Sequence, residues 1–257
     1  MKVLVTGDLI IDDYIFGRAE RLCPEAPVPV IIPETENSTE GGAGLVYDQL
    51  VELLGQKDVT FIGGSRSHKQ RVFVDNHLVC RLDRDSTFVI DTNSYAEMII
   101  DILNTNKPLV LVVSDYGKGS FTEASANKIK DAAGNLNIPV FVDAKHNWQW
   151  WEGVFAKFPN QREHHIVGTA KYIIFKLGAG GCSVSSNVKN IIPVPLDKVS
   201  EVKDCTGAGD TFLAAFVAYY IKKSTDMVEC AKFANRIASE SVEHLGTFVV
   251  DKPEGIW

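Results

Sequence analysis

Short apolar, β-branched runs separated by helical patterns recur along the whole chain, and this alternation constrains the fold more than any other feature of the sequence. Residues 2–7 make the first run and end at Gly7, as a buried strand opening an α/β domain would. Further strands are expected over 28–32, 59–62, 72–74, 78–82, 109–113, 140–142 and 172–175, with helices near 43–54, 93–105 and 122–134. Strands alternating with helices predict a mostly parallel sheet. Two stretches break the rhythm. Residues 23–33 carry four prolines among valines and isoleucines, and 72–83 hold two strand-like pieces separated by a two-residue gap. They predict a small β lid, contributed by about 13–33 and 69–86. The lid sits on a single domain spanning 1–257, since neither a fixed-period repeat nor a Gly/Ser-rich linker divides the chain.

The last third changes character. Gly207 to Asp210 opens an apolar helix running to Ile221, and a second helix is expected from about Met227 to Leu245. Asp226 and Glu229 fit a capping pair, Ala231, Ala234, Ala238 and Leu245 share one helical face, and Gly246 suits the position just past the end.

Composition serves mainly to exclude. A chain of 257 residues with 45% hydrophobic and 23% charged content is neither disordered nor fibrous. Its longest apolar stretches fall far short of the roughly 20 residues of a membrane span. Asp8, Asp12 and Asp13 interrupt any signal-like apolar core, so a cytoplasmic protein with no membrane partner is expected. Five scattered cysteines without a C-x-x-C pair read as reduced thiols. A net charge of -7 argues against nucleic acid as a partner, although a local cationic patch can still hold a small anion.

The most informative segment is Asp204-Cys205-Thr206-Gly207-Ala208-Gly209-Asp210-Thr211, in which two glycines sit where a loop turns into a helix. Amides in the first turn of a helix lack internal partners, and glycine lets a phosphate approach them while the helix dipole favours its charge. The amides of Gly207, Ala208 and Gly209 then form an anion hole. Asp210 in the same turn is placed to accept a proton from an alcohol beside the phosphorus. Taken alone, the same residues also describe a capped helix after an ordinary turn.

This segment resembles the carboxy-terminal signature of the ribokinase-like carbohydrate kinases of phosphofructokinase-B type, and other pieces match in the same order. Gly7-Asp8 and Asp12 resemble the family's first-strand sugar site, and Gly41-Gly42-Ala43 its first glycine signature. Pro159 to Glu163 is similar to its N-x-x-E motif and Leu177 to Gly181 to its nucleotide loop. Within the family, Cys23 to Val30, Leu82-Asp83 and Ser114 to Gly119 resemble the heptose 7-phosphate kinases. Relatives there that carry a second, nucleotidyltransferase domain have an H-x-G-H motif, which is absent here. The resemblance implies a three-layer α/β/α ribokinase-like fold and a kinase that uses ATP and Mg²⁺ on a hydroxyl of a sugar or sugar phosphate.

It also implies roles residue by residue. Asp210 is the base beside the anion hole of Gly207, Ala208 and Gly209. Asp8, Asp12, Gly41 and Gly42 bind the sugar, where Asp12 can accept two hydroxyl hydrogen bonds. Asn160, Glu163, Lys176, Gly178, Gly181 and Asn235 serve the nucleotide. Asn160 and Glu163, three apart, either hold a hydrated Mg²⁺ or form a surface pair. Gly178 and Gly181 alternatively make a hairpin turn. Asp204 and Thr206 are candidates for holding a monovalent cation such as K⁺, against simple loop hydrogen bonding. Lys69, Arg71, Arg81 and Arg84 sit in the lid, where a sugar phosphate would need cations. His164, His165, Trp148, Trp150 and Trp151 are assigned packing or surface roles. Lid edges often pair, so a homodimer is expected.

Three departures from the family pattern stand out. Residues 63–69 replace a much longer core stretch, Leu45 stands where Asn is usual, and Lys176 replaces a Thr. The shortened core and Leu45 motivate a second expectation, a non-catalytic binding or regulatory protein on the same fold. Other nucleotide enzymes are disfavoured, because neither G-x-x-x-x-G-K-[ST] nor a G-x-G-x-x-G after the first strand occurs.

Overall fold

The computed structural model describes residues 1–75, 77–163, 167–187, 190–197 and 201–256, without the side chains of 86, 87 and 187. His164 and His165 lie outside the described residues. Fifteen elements matter here: β1 (Val3–Leu22), β2 (Pro29–Gly42), α1 (Ala43–Leu54), β3 (Val59–Val74), β4 (His77–Phe88), α2 (Thr92–Asn106), β5 (Val110–Asp115), α3 (Glu123–Asn135), β6 (Val140–Ala144), β7 (Ala156–Lys157), β8 (Tyr172–Lys176), β9 (Cys182–Asn187), β10 (Asn190–Val194), α4 (Ala208–Lys222) and α5 (Met227–Ser241).

One sheet runs in the order β10-β9-β8-β7-β6-β5-β1-β3-β4, with β2 also on β1. The centre from β3 to β8 is parallel, and β9 and β10 continue it antiparallel. Successive side chains of β1 alternate between two cores, as a strand buried on both faces must. Val3 and Val5 pack with Val46, Leu50 and Leu53 of α1 and with α4 and α5, whereas Leu4 packs with Tyr95, Ile99 and Leu103 of α2 and with Ile129 of α3. The three-layer, mostly parallel architecture is therefore the expected one.

The lid grows directly out of this sheet. After Gly7, β1 continues from Leu9 to Leu22 and pairs with β2 on one side and with residues 66–74 of β3 on the other, and β3 pairs with β4. The short connection at 63–69 makes this continuity possible: β3 runs from the core into the lid without interruption. The lid strands reach well beyond 13–33 and 69–86. Residues 34–42 were not anticipated as strand because 34–40 are polar and mostly exposed and 41–42 are glycines, and their backbone pairs with β1.

The helix boundaries at 43–54, 92–106 and 123–135 differ little from expectation. The last one differs more. Asp226 caps α5 by accepting from the amides of Val228 and Glu229, but Glu229 bonds Lys232 rather than reaching back, and the helix ends at Ser241. Leu245 accordingly lies outside it and is exposed, while Ala231 and Ala234 are fully buried.

Candidate active site

Parallel registry brings the end of the core half of β1, at Gly7 and Asp8, and the carboxyl ends of β5, β6 and β8 to one edge, where α/β sheets bind ligands. The strand order reverses there, with all of these strands parallel: β1 is followed by β3 on one side, while β5, β6 and β8 extend on the other. Asp8, Asp115, Asp143 and Lys176 all occupy this edge. Opposite them arrives the amino end of α4. Its position is fixed by the apolar face that follows, because Phe212, Leu213, Phe216 and Val217 are almost wholly buried, each contributing roughly 1.5–3 kcal/mol.

Asp210 sits in the first turn of α4 and is 3% exposed. Its Oδ2 accepts a hydrogen bond from the Tyr116 hydroxyl at 2.7 Å, and among the described residues its buried Oδ1 has no partner. Burial pushes its carboxyl up to about 6, with Asp143 adding to the rise and Lys145, the Tyr116 hydrogen bond and Lys176 opposing it. The first internal bond of α4 runs from Thr211 N–H to the Gly207 carbonyl at 2.9 Å. Preceding amides stand outside the helical ladder, although Ala208 N–H reaches the Cys205 carbonyl at 3.4 Å.

Gly207 is required twice over. Its φ is +80°, and a Cβ there would come within 2.5 Å of Leu45 Cδ2. Leu45 is thus a packing residue beneath the turn. A cleft at this edge is lined by Ile10, Asp12, Gly41, Gly42, Lys69, Tyr116, Thr206, Gly207, Asp210 and Thr247. Gly41 leaves room for the Asp12 carboxylate, and Gly42, at φ +60°, brings the chain against Asp8 and Tyr116.

The structure also picks among the lid cations. Arg71 is buried, its Nη1 donates to Asp12 Oδ1 at 2.5 Å, and its guanidinium lies over the Tyr14 ring. Lys69 faces the cleft with its ammonium 5.4 Å from the Tyr116 ring centre. Burial lowers the Lys69 pKa. Arg81 is exposed and bonded to Asp83, and Arg84 is exposed.

Several sequence candidates take other positions. Asp8 is fully buried and anchors a loop: its Oδ1 accepts from the Ser120 amide and hydroxyl and its Oδ2 from the Lys118 amide. Burial raises its pKa. It does not line the cleft. Asn235 is turned toward the polypeptide, donating to the Val194 carbonyl at 2.9 Å. Gly178 and Gly181 turn the β8–β9 hairpin, and a Cβ on Gly181 would press on the backbone of Val194 to Leu196. Asp204 accepts from the amide and hydroxyl of Thr206 through Oδ1 and from Gly246 N–H through Oδ2, so the pair closes its own loop.

Asn160 and Glu163 do meet. Glu163 accepts from the Asn160 amide at 2.9 Å and from its side-chain Nδ2 at 2.7 Å. Glu163 is 6% exposed, and burial raises its carboxyl against the pull of Lys145. Among the described residues no three His, Cys, Asp or Glu converge as a metal cluster. The Arg162 amide also donates to Asn160 Oδ1 at 2.9 Å, so the pair closes its own turn; a carboxylate beside an amide oxygen suits a hydrated Mg²⁺ in donor type, and binding one there would exchange some of these bonds.

Sequence reasoning missed three central residues. Lys145 follows β6 and lies 3.6 Å from Asp143 and 4.9 Å from the Tyr116 ring centre. Burial would lower its pKa, but Asp143, Asp210 and Glu163 together outweigh that and raise it. Asp143, almost fully buried, also ion-pairs with Lys176, whose ammonium rests against Gly209 in the first turn of α4. The available signal was the apolar run of β6 ending abruptly in Asp-Ala-Lys at a strand's carboxyl end. Tyr116 was quoted as part of a motif without a role. Trp148 and Trp151 are packed as expected, and Trp151 additionally donates to Asp115 at 3.0 Å.

Comparison with known proteins agrees with this geometry. Residues 159–253 match the model of the pfkB family carbohydrate kinases. The bifunctional protein HldE of Pelobacter propionicus is 30% identical across 98% of this chain, and that of Campylobacter curvus 28% across 96%. The chain spans 62% of the length of each. Among solved structures, Escherichia coli phosphofructokinase-2 in complex with potassium is similar with a TM-score of 0.76 at 16% identity, over 98% of this chain and 95% of that one. Arabidopsis thaliana ribokinase complexed with ribose and ATP is similar with a TM-score of 0.69 at 16% identity, over 98% and 96%. The fold is thus ribokinase-like, and the segment that contains Asn160, Glu163 and the turn at Gly207 to Asp210 is similar to the pfkB family of carbohydrate kinases.

Proposed function

We propose that this chain transfers the γ-phosphoryl group of ATP to a hydroxyl of a sugar or sugar phosphate. The resemblance to heptose 7-phosphate kinases directs the choice toward the C1 hydroxyl of that sugar. The observation that carries the reading is the buried Asp210 carboxylate lining the cleft, with one oxygen held by Tyr116 and the other, among the described residues, unpartnered in the first turn of α4. An acceptor hydroxyl docked there gives its proton to Oδ1 as its oxygen bonds to phosphorus and the bond to ADP breaks. The transition state is loose, so the proton leaves late and a positioned carboxylate suffices. First-turn amides and the ammonium groups of Lys145 and Lys176 attract the migrating phosphoryl group. Mg²⁺ held through water by Asn160 and Glu163 would add positive charge on the nucleotide phosphates. Monovalent cation dependence is a weaker expectation, since Asp204 is already engaged by its own loop.

The lid closes over an acceptor and keeps water from attacking ATP. Its edge strand β4 exposes Leu78, Val79 and Leu82, which supports pairing of two copies through the lid.

One observation favours the second reading, a regulator that binds without turnover: Arg71 already occupies an oxygen of Asp12. ADP release and ligand binding measured for the wild type and Asp210→Asn across sugars and sugar phosphates separate the two. Acceptor-dependent turnover, lost at least a thousandfold in Asp210→Asn, supports the kinase. Sugar binding by both proteins with no turnover in either supports the regulator.

A further inference from the structure

Tyr116 is held in place more elaborately than a cleft-lining side chain requires. The loop that presents it is tied down from both sides. Asp115 accepts from Gly117 N–H through Oδ1 and from Trp151 Nε1 through Oδ2, each at 3.0 Å. Asp8 accepts from residues 118 and 120 of the same loop. Gly117 and Gly119 adopt φ of +67° and +103°, which lets the chain turn tightly around the tyrosine. The ring itself lies against Gly42 and has the ammonium groups of Lys69 and Lys145 near it. All of this delivers a single hydroxyl to Asp210 Oδ2 at 2.7 Å.

Asp210 has two oxygens that would otherwise be equivalent as bases. We propose that Tyr116 is a positioning residue for phosphoryl transfer, whose hydroxyl pins Oδ2 of Asp210 and so leaves Oδ1 as the oxygen that receives the acceptor's proton. The inference rests on Asp210 being the base. It assigns a purpose to Asp8 and Asp115, which never touch the cleft: they fix the loop that aims the tyrosine. The hydroxyl also favours the ionised carboxylate, to which it can donate, over the protonated form. Charged groups that face this pair come from four strands: Asp12 on β1, Lys69 on β3, Asp143 and Lys145 at the end of β6, and Lys176 on β8. A Tyr116→Phe substitution alters none of them and keeps the ring beneath both lysines.

The test is the pH profile of kcat/KM for heptose 7-phosphate with saturating ATP, in the wild type, Tyr116→Phe, Asp210→Asn and a variant with 3-fluorotyrosine, a stronger donor, at position 116. The expected results are a fall in kcat of at least tenfold in Tyr116→Phe with KM for the sugar phosphate little changed, and an acid limb displaced upward by about one pH unit. In the fluorotyrosine variant the limb moves the opposite way. A limb that stays put in both variants overturns the proposal, even if kcat falls. An active Asp210→Asn enzyme refutes the base itself, which is a separate failure. The midpoint of the pH-dependent stability of each protein moves in the same directions and needs no turnover, so an unreactive acceptor does not leave the question open.

Discussion

Replacing Asp210 by Asn should stabilise the fold near neutral pH while removing activity, and the size and pH dependence of that gain follow from its burial. The Asp210 carboxyl is raised from 3.8 to about 6, chiefly because a charge there has lost its water. Between those values the native chain binds a proton that the unfolded chain has released. Stability therefore falls as pH rises through the window and is fully reduced above about pH 6. At about 1.4 kcal/mol per unit the carboxylate costs about 3 kcal/mol at pH 7. The amide does not titrate. Its carbonyl can still accept from Tyr116, but its NH₂ fills the place of the unpartnered Oδ1, which returns about 1–2 kcal/mol of the gain. The measurable quantity is the difference between the two proteins, in which every other carboxyl cancels. Thermal unfolding at pH 4.5, 6 and 7.5 should show a difference in Tm that grows with pH; about 2 kcal/mol of the cost develops across that range, or about 4–8 °C for a chain of this size. A difference that stays flat across that range would refute the claim that Asp210 is buried as a strained carboxylate.

Two further substitutions test the geometry around it. Gly207→Ala must adopt φ +80° with its Cβ 2.5 Å from Leu45 Cδ2 and 3.1 Å from Thr247 Cγ2, so a loss of about 2–4 kcal/mol in urea unfolding is expected; a loss below about 1 kcal/mol would mean the turn can relax. Arg71→Met leaves Asp12 buried without its cation and should cost about 3–5 kcal/mol, most of it recovered in the double variant with Asp12→Asn, and a double variant no better than the single one would rule out a direct pairing.

What the sequence disclosed and what it withheld divide along a physical line. Helix α1 and the strands β5 and β6, buried throughout, were legible, as was β8 around its buried Ile174, because continuous apolar runs and 3.6-residue spacing record burial, a property local to each segment. Residues 34–42 carry no such record, since an exposed lid strand needs only a partner's backbone, and that partner is β1. The turn at Gly207 to Asp210 was legible for a similar reason: positive φ, an open helix end and a carboxylate are all encoded within a few residues. The rest of the site is not local. Asp8 and Asp12 lie four residues apart on one strand, yet the first bonds a loop 110 residues away and the second an arginine 59 away. A carboxylate at a strand end is equally suited to hold a sugar, a cation or a backbone amide, and only the packing of distant elements selects among them. Asp210, by contrast, keeps an oxygen that no element selects, at a burial where leaving it unsatisfied costs stability. A fold that stabilises α4 with four large apolar side chains can carry that cost, and a buried acceptor without a partner is what a proton from a docked hydroxyl would complete.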